Sequence, residues 1–313
     1  MVLTDLMINK GKITSWIKAM RLEFYSMPFV VYSLGALISY KLNYFFFLKN
    51  YLVGYLIIFL IELATVLTNE YYDFEADKLN KNVGRFTGGS RMLVENKITF
   101  GEVKLSFIFV IMLFLVLSLY LSKITFFSNQ VILLLILGFI LGISYTAPPL
   151  KFSYRGLGEI DVALIHGFYV IICGYVFQKS FLDISIIWAI SIPIFFSSLA
   201  GVSLGGIPDL ESDKLVSKKS IAVIIGSKNT LILSLVCSLI AGIFGIYLYY
   251  YFTSWHFNYL YLLLPIYSLF LSCIILSKIK YEKQDAGISK IILSTMILIA
   301  LSSFIPVIIF LAN

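Results

Sequence analysis

Charge is what this chain has least of. Only 13% of its 313 residues are charged, 60% are hydrophobic, and the mean hydropathy is +0.94. A soluble fold could not keep such a surface in water, so the solvent is lipid. Histidine is nearly absent, with two residues, and the three cysteines Cys173, Cys237 and Cys273 form no close pair and no ligand spacing. All three fall within apolar stretches, which reads as packing and leaves no case for a thiolate metal or redox centre. Short alternating segments are missing too, which sets aside a membrane β-barrel.

What is present is a series of apolar runs, each long enough to cross the roughly 30 Å of hydrocarbon as a helix. They cover residues 24–40, 52–68, 105–121, 131–145, 161–177, 184–207, 230–251, 260–276 and 288–311. The expectation is an all-α polytopic membrane protein with nine transmembrane helices, forming one membrane-embedded domain over residues 1–313. The basic start, with Lys10, Lys12, Lys18 and Arg21, resembles a signal peptide, but the apolar run is too long and lacks a small-residue cleavage site, so it reads as a retained first span. Twenty of the 24 Lys and Arg fall on one side of the nine-span topology, and only Lys41, Lys49, Lys123 and Lys179 fall on the other. The positive-inside rule then puts the N-terminus in the cytoplasm and the C-terminus outside. The net charge of +7 is this asymmetry, which suits contact with anionic lipid and gives no case for nucleic acid.

In lipid an ionisable residue is costly unless it meets a partner or a cavity, so the acidic clusters are the informative positions. The second span runs into Asn69-Glu70-Tyr71-Tyr72-Asp73-Phe74-Glu75-Ala76-Asp77, and the sixth into Asp209-Leu210-Glu211-Ser212-Asp213. Both exits are on the cytoplasmic side by the charge count. If the second helix continues through Asp77, then Asn69, Glu70, Asp73 and Asp77 share a face within about 100°, with Glu75 opposite. Asp209 and Asp213 lie about 40° apart, with Glu211 away from them. Carboxylates four residues apart repel each other, so a cation belongs between them. The donors are hard oxygens and neither cluster holds His or Cys, which selects Mg²⁺ over Zn²⁺. Mg²⁺ held by one or two carboxylates completes its shell with water and phosphate oxygens, and a diphosphate substrate follows.

Basic residues lie close by: Arg85 and Arg91 after the first motif, Lys214, Lys218 and Lys219 after the second, and Lys151 and Arg155 after the fourth span. They suit a phosphate clamp, although the positive-inside rule accounts for most of them. Lys151 and Arg91 are the preferred exceptions. Glu62 is the one carboxylate well inside the second span, about 10 Å deeper than Asn69 and on its face, and it reads either as a group that positions or deprotonates an acceptor or as a neutral interhelical Glu. His166 and Asp161 in the fifth span are weaker candidates, and His256 is a loop residue.

These motifs resemble the UbiA-type intramembrane prenyltransferases. Their first signature, N-D-x-x-D-x-x-x-D, is matched by Asn69, Glu70, Asp73 and Asp77, with Glu70 in place of the usual Asp; the second, D-x-x-x-D, is matched by Asp209 and Asp213. The stretch Tyr145 to Lys151 agrees as well, and the segments Arg85 to Leu93 and Tyr154 to Glu159 look most like the dihydroxynaphthoate branch that makes menaquinone precursors. The resemblance implies a helical bundle around a central cavity with a cytoplasmic cap. It implies transfer of a polyprenyl group from a prenyl diphosphate to an aromatic acceptor through an allylic carbocation, with other acceptors (4-hydroxybenzoate, haem, a glycerol phosphate lipid) in related branches. The implied metal ligands are Asn69, Asp73, Asp77, Asp209 and Asp213, the implied catalytic set is the four Asp with Glu62, and the implied substrate contacts are Asn69, Glu70, Arg85, Arg91, Tyr145, Lys151, Arg155 and Lys214. A secondary transporter is the rival from another class, since intramembrane acids also mark carriers. The concentration of acids at one membrane face speaks against it.

Overall fold

The computed structural model describes residues 2–84, 87–178, 184–281 and 287–313, and these residues are helical throughout apart from turns and loops. The helices are α1 (Val2–Ala19), α2 (Ser26–Asn43), α3 (Leu48–Tyr72), α4 (Phe74–Leu79), α5 (Phe100–Ile124), α6 (Asn129–Ser144), α7 (Gly158–Leu164), α8 (Val170–Val176), α9 (Ile184–Gly205), α10 (Leu210–Leu215), α11 (Ile221–Tyr251), α12 (Leu263–Tyr281) and α13 (Ile288–Ala312). A π-helical turn, Ile165–Tyr169, joins α7 to α8, so that Gly158–Val176 makes one span.

Among the described residues seven helices are long and apolar enough to cross a membrane, and a bent pair, Gly11–Phe24 with Ser26–Asn43, makes an eighth. The fourth run expected from the sequence is α6, a shorter apolar helix of 16 residues. Its ends are set by the turns at 125–128 and 145–149, which hold it close to the length of the apolar run itself. The protein is an integral membrane protein.

Neighbouring helices approach closely where glycine allows it. A Cβ at Gly35 of α2 would lie 2.0 Å from the Ile171 carbonyl oxygen, and one at Gly174 of α8 would lie 2.0 Å from that of Tyr32. The two glycines therefore set a crossing at which backbone meets backbone, the small-residue packing that serves in lipid, where no hydrophobic force draws helices together. Serine adds interhelical bonds: Ser234 Oγ donates to Ala200 O at 3.2 Å and Ser268 Oγ to Ser238 O at 2.5 Å, tying α11 to α9 and to α12. On the outside of α5, Leu105, Phe109, Met112, Val116 and Leu119 recur every three or four residues and are all more than half exposed, which is the face turned to acyl chains.

Candidate active site

Both acidic motifs sit where a long helix gives way to a helix of six residues. The sequence pattern suggests one continuous helix through Asp77, but α3 stops at Tyr72. Asp73 takes φ −93°, ψ 5°, and α4 restarts at Phe74. The amide ladder survives the break, with Asp73 N–H donating to Asn69 O and Asp77 N–H to Asp73 O, both at 2.9 Å, so the expected face is kept. Three donors explain the kink by drawing the Asp73 carboxylate inward: Asn69 Nδ2 at 2.8 Å, the Tyr154 hydroxyl at 2.9 Å and Lys218 Nζ at 2.8 Å. Asp73 and Asp213 are buried, Asp77 and Asp209 partly so, and Glu75 and Glu211 are exposed.

Lys218 joins the two motifs. Its ammonium pairs with Asp73 at 2.8 Å and with Asp213 at 3.6 Å. The turn after α10 puts it there. Ser217 adopts φ 57°, its N–H donates to Lys214 O at 3.1 Å, and Lys218 N–H donates to Asp213 O at 2.9 Å, the paired bonds of a Schellman cap that folds the chain back over its own helix. Burial works against the Lys218 charge, but Asp73, Asp213 and Tyr145 more than offset it, and its pKa lies well above the ordinary value.

A second link is Asn80, whose side-chain amide donates to Asp209 Oδ1 at 2.7 Å. The loop behind it passes through Gly88 and Gly89 at φ 78° and 68°, and a Cβ on Gly89 would fall 2.0 Å from an Asp77 carboxylate oxygen, so only glycine lets the backbone lie against that carboxylate. Asp77 is pushed up to about 8, first by burial, then by the negative charge of Asp73 and Glu70. Asp209 is raised to about 6 by burial and by Asp213, while Asn80, Lys218 and the Gly88 backbone pull it down. Asp213 is raised by burial, with Lys218 opposing.

Other expected site residues are divided. Glu70 is buried, but its Oε1 accepts from Ser90 Oγ at 2.6 Å and from Leu93 N–H at 3.2 Å, so it anchors the loop and does not face the opposite motif. Arg91 donates to the Asp77 carbonyl. Lys151 lies at the rim, its ammonium 4.6 Å from the Tyr154 ring centroid and 5.8 Å from that of Tyr72. Tyr145 lies within reach of Lys218, Glu159 and Asp73, its hydroxyl pKa raised mainly by burial. Arg155 is exposed and bonds Pro149 O at 2.9 Å. Lys214 is turned away from the site to pair with exposed Glu211 at 3.2 Å, and Lys218, four residues on, takes the place expected of it because the Schellman turn reverses the chain. Arg85 lies outside the described residues. Glu62 is partly buried in α3, within electrostatic reach of His166 and Arg21. Lys218, Asn80 and Tyr154 are the partners that the motif spacings did not single out.

Two acidic pairs, locked across one end of a helical bundle, are accompanied by a sequence match to the UbiA prenyltransferase family over residues 27–309. The chain belongs to the UbiA prenyltransferase family. It is thereby a prenyltransferase. Digeranylgeranylglyceryl phosphate synthase of Methanosphaera stadtmanae is 26% identical over 225 residues, covering 72% of this chain and 74% of that protein. UbiA prenyltransferase domain-containing protein 1 of Dictyostelium discoideum is 32% identical over 92 residues, 29% of this chain and 28% of that one. In fold, the chain is similar to a UbiA homolog from Archaeoglobus fulgidus solved with DMAPP and Mg²⁺, with TM-score 0.64, 20% identity and coverage of 93% and 99%. A digeranylgeranylglyceryl phosphate synthase structure gives TM-score 0.67 at 19% identity, covering 96% and 99%.

Proposed function

We propose that this UbiA-family enzyme transfers a polyprenyl group from a prenyl diphosphate to an aromatic acceptor, dihydroxynaphthoate or a similar quinone precursor, with Mg²⁺ as cofactor. The observation that carries the reading is the convergence of Asp73, Asp77, Asp209 and Asp213, of which Lys218 pairs with Asp73 and Asp213. The donor chemistry fits Mg²⁺: every ligand candidate is a hard oxygen, and Asp77 and Asp209 are raised first by burial and then by neighbouring carboxylates, against a smaller opposing effect of Lys218. No group of three or more His, Cys, Asp or Glu is gathered at one ion position among the described residues.

When bound, Mg²⁺ supplies neutralisation of the diphosphate charge as the allylic C–O bond breaks. The chain supplies the rest. Asp77 and Asp209 would hold the ion from the two motifs, with Asn69 fixing the rotamer of Asp73 and Asn80 that of Asp209. Lys151 and Arg91 stand at the rim for phosphate oxygens, and Lys151 rests on tyrosine faces that hold it in place. The apolar helix walls keep water from the cation.

A glycerol phosphate lipid is the second reading of the acceptor, favoured by the length of the match to the Methanosphaera synthase. One experiment separates the two. Purified protein receives a labelled prenyl diphosphate and both acceptor classes, with Mg²⁺ or with excess chelator, and products are identified by mass. The expected product is the prenylated aromatic, lost in chelator and restored by Mg²⁺; a prenylated lipid alone corrects the acceptor, and full activity in chelator removes the metal. The orientation we propose places the cap in the cytoplasm, on the charge asymmetry of the loops. Lys81→Cys is expected to react with an impermeant thiol reagent only from the cytoplasmic side and Lys123→Cys only from the outside.

A further inference from the structure

His166 and Glu62 stand below the cap, in the membrane-spanning part of the bundle, and the carboxylate site uses neither. Glu62 lies seven residues before Asn69, about 10 Å deeper and within about 20° of it on the helical wheel. His166 lies in the π-helical turn Ile165–Tyr169. It is on the opposite side of the helix from Leu164, whose side chain is exposed, and is itself half-buried. The packing brings the two segments together: a Cβ on Gly138 of α6 would touch both the Tyr169 hydroxyl and Ile61, the residue before Glu62. Glu62 is within electrostatic reach of His166, and also of Arg21 and Tyr25 ahead of α2 and of Tyr55 on its own helix. Short π-helical segments of this kind are frequent at functional sites.

The imidazole has a defined tautomer. Its Nδ1 lies 2.8 Å from the Val162 carbonyl oxygen. A carbonyl only accepts, so Nδ1 carries the proton and the neutral ring keeps a lone pair on Nε2. The same region holds a buried donor with nothing to bond: the Tyr25 hydroxyl has no hydrogen-bond partner among the described residues and packs beside Phe59, its ring centroid 4.7 Å away. A buried, unpaired phenol is costly unless something polar arrives to meet it. An imidazole lone pair, a carboxylate to stabilise the ring when charged and a spare hydroxyl donor make up a site for a polar group that must lose a proton.

We propose that His166 is the base that takes the proton released by the prenyl acceptor, that Glu62 stabilises the imidazolium so formed, and that the Tyr25 hydroxyl positions the acceptor by bonding one of its oxygens. This deepens the prenyl-transfer reading and rests on it. In the transfer the allylic C–O bond breaks and its electron pair leaves on the diphosphate. The acceptor's ring carbon or hydroxyl oxygen forms the new bond to the allylic carbon. The proton on that ring carbon or oxygen passes to His166 Nε2 and from there to water, which restores the neutral ring. Glu62 acts through the imidazole and is a positioning residue. A base at this depth lies apart from the Asp cap, so cleavage of the diphosphate and deprotonation of the acceptor belong to different residues.

The test follows diphosphate release and prenylated product together, with full-length protein in detergent, Mg²⁺, a labelled prenyl diphosphate and a dihydroxy aromatic acceptor. In the wild type the two are expected to be stoichiometric. His166→Gln is expected to lower product at least about a hundredfold, while diphosphate release stays within roughly threefold and the prenyl group appears as the alcohol. Glu62→Gln is expected to lower product about tenfold, and the double variant to be no worse than His166→Gln alone, since Glu62 acts through His166. Product within roughly threefold of wild type in His166→Gln overturns the proposal, as does a parallel fall of product and diphosphate release. If His166→Gln loses its thermal unfolding transition, Glu62→Gln decides, and unchanged product there overturns it. A wild type that releases no diphosphate sinks the prenyl-transfer reading itself.

Discussion

The two acidic motifs have the same spacing, yet their charges are balanced on opposite members. In the first, the leading Asp73 is bonded by Asn69, Tyr154 and Lys218, and the trailing Asp77 carboxylate forms no ion pair among the described residues. In the second, the trailing Asp213 faces Lys218, and among the described residues the leading Asp209 is bonded by the Asn80 amide and the Gly88 backbone, with Lys218 acting on it from farther away. The Lys218 ammonium contacts one carboxylate from each motif, Asp73 and Asp213, the diagonal pair. The cap is thus divided into a half that neutralises itself and a half that calls for a cation. The difference lies in the turns after the motifs, since Lys218 arrives on a Schellman turn and Asn80 at the end of α4.

The sharpest way to break this comparison is to remove one carboxylate from each half. Asp77→Asn and Asp73→Asn are both expected to lower turnover roughly a thousandfold, equivalent to ~4 kcal/mol of transition-state stabilisation, because each takes a charge from the diphosphate site. Stability in chelator is expected to separate them. Asp77→Asn replaces a partly buried carboxyl whose charged form is disfavoured, and should leave the protein as stable as wild type or more so. Asp73→Asn takes one partner from Lys218 and should cost about 1.5–3 kcal/mol. Thermal unfolding of both variants without metal checks this, and equal losses would mean that the two halves do not differ.

A smaller effect is expected from pH. A carboxylate whose folded pKa is raised keeps its proton in the folded protein where the unfolded chain has lost it. Its contribution is therefore present at low pH and falls as pH rises from the ordinary carboxylate range through the folded value. For Asp77 that fall extends to about 8 and for Asp209 to about 6. The unfolding temperature of the metal-free protein should accordingly drop between about pH 4 and pH 8, and Mg²⁺ should restore most of it at the alkaline end, since the ion binds the ionised form. A flat profile without metal would place the compensating charge on Asp77 after all.

The apolar spans and the acidic pairs were legible because they depend on local periodicity: length and hydropathy mark a span, and a four-residue step puts Asp73 with Asp77 and Asp209 with Asp213 on one side. What depends on a turn was not. Lys214 and Lys218 are equivalent by composition and both follow Asp213, and only the positive φ at Ser217 decides that the second reaches Asp73 while the first pairs with Glu211. Glu70 shares the wheel face of Asn69, but a loop twenty residues on claims its carboxylate through Ser90 and Leu93. The break at Asp73 escaped for a similar reason, because the donors that draw it inward come from Tyr154 and Lys218, far away in sequence. Asn80 gave no signal at all, since an asparagine at a helix end is ordinary until its amide is seen to bridge two motifs.

The smallest effects should come from the charges that share the motifs' sequence but not their geometry. Glu75 and Glu211 lie within the two acidic runs, and both are exposed, pointing out of the cap. Lys214 pairs with Glu211 at 3.2 Å on the surface, where water screens both ends and such a pair contributes little. Glu75→Gln, Glu211→Gln and Lys214→Gln are each expected to change turnover by less than roughly threefold and to leave the Mg²⁺ requirement unaltered. Steady-state assays over a range of Mg²⁺ concentrations, beside the Asp77→Asn variant, give the comparison. Were Glu211→Gln as damaging as Asp209→Asn, the ion would be held from the outer face of α10, and the diagonal pairing through Lys218 could not be what leaves Asp77 and Asp209 available to it.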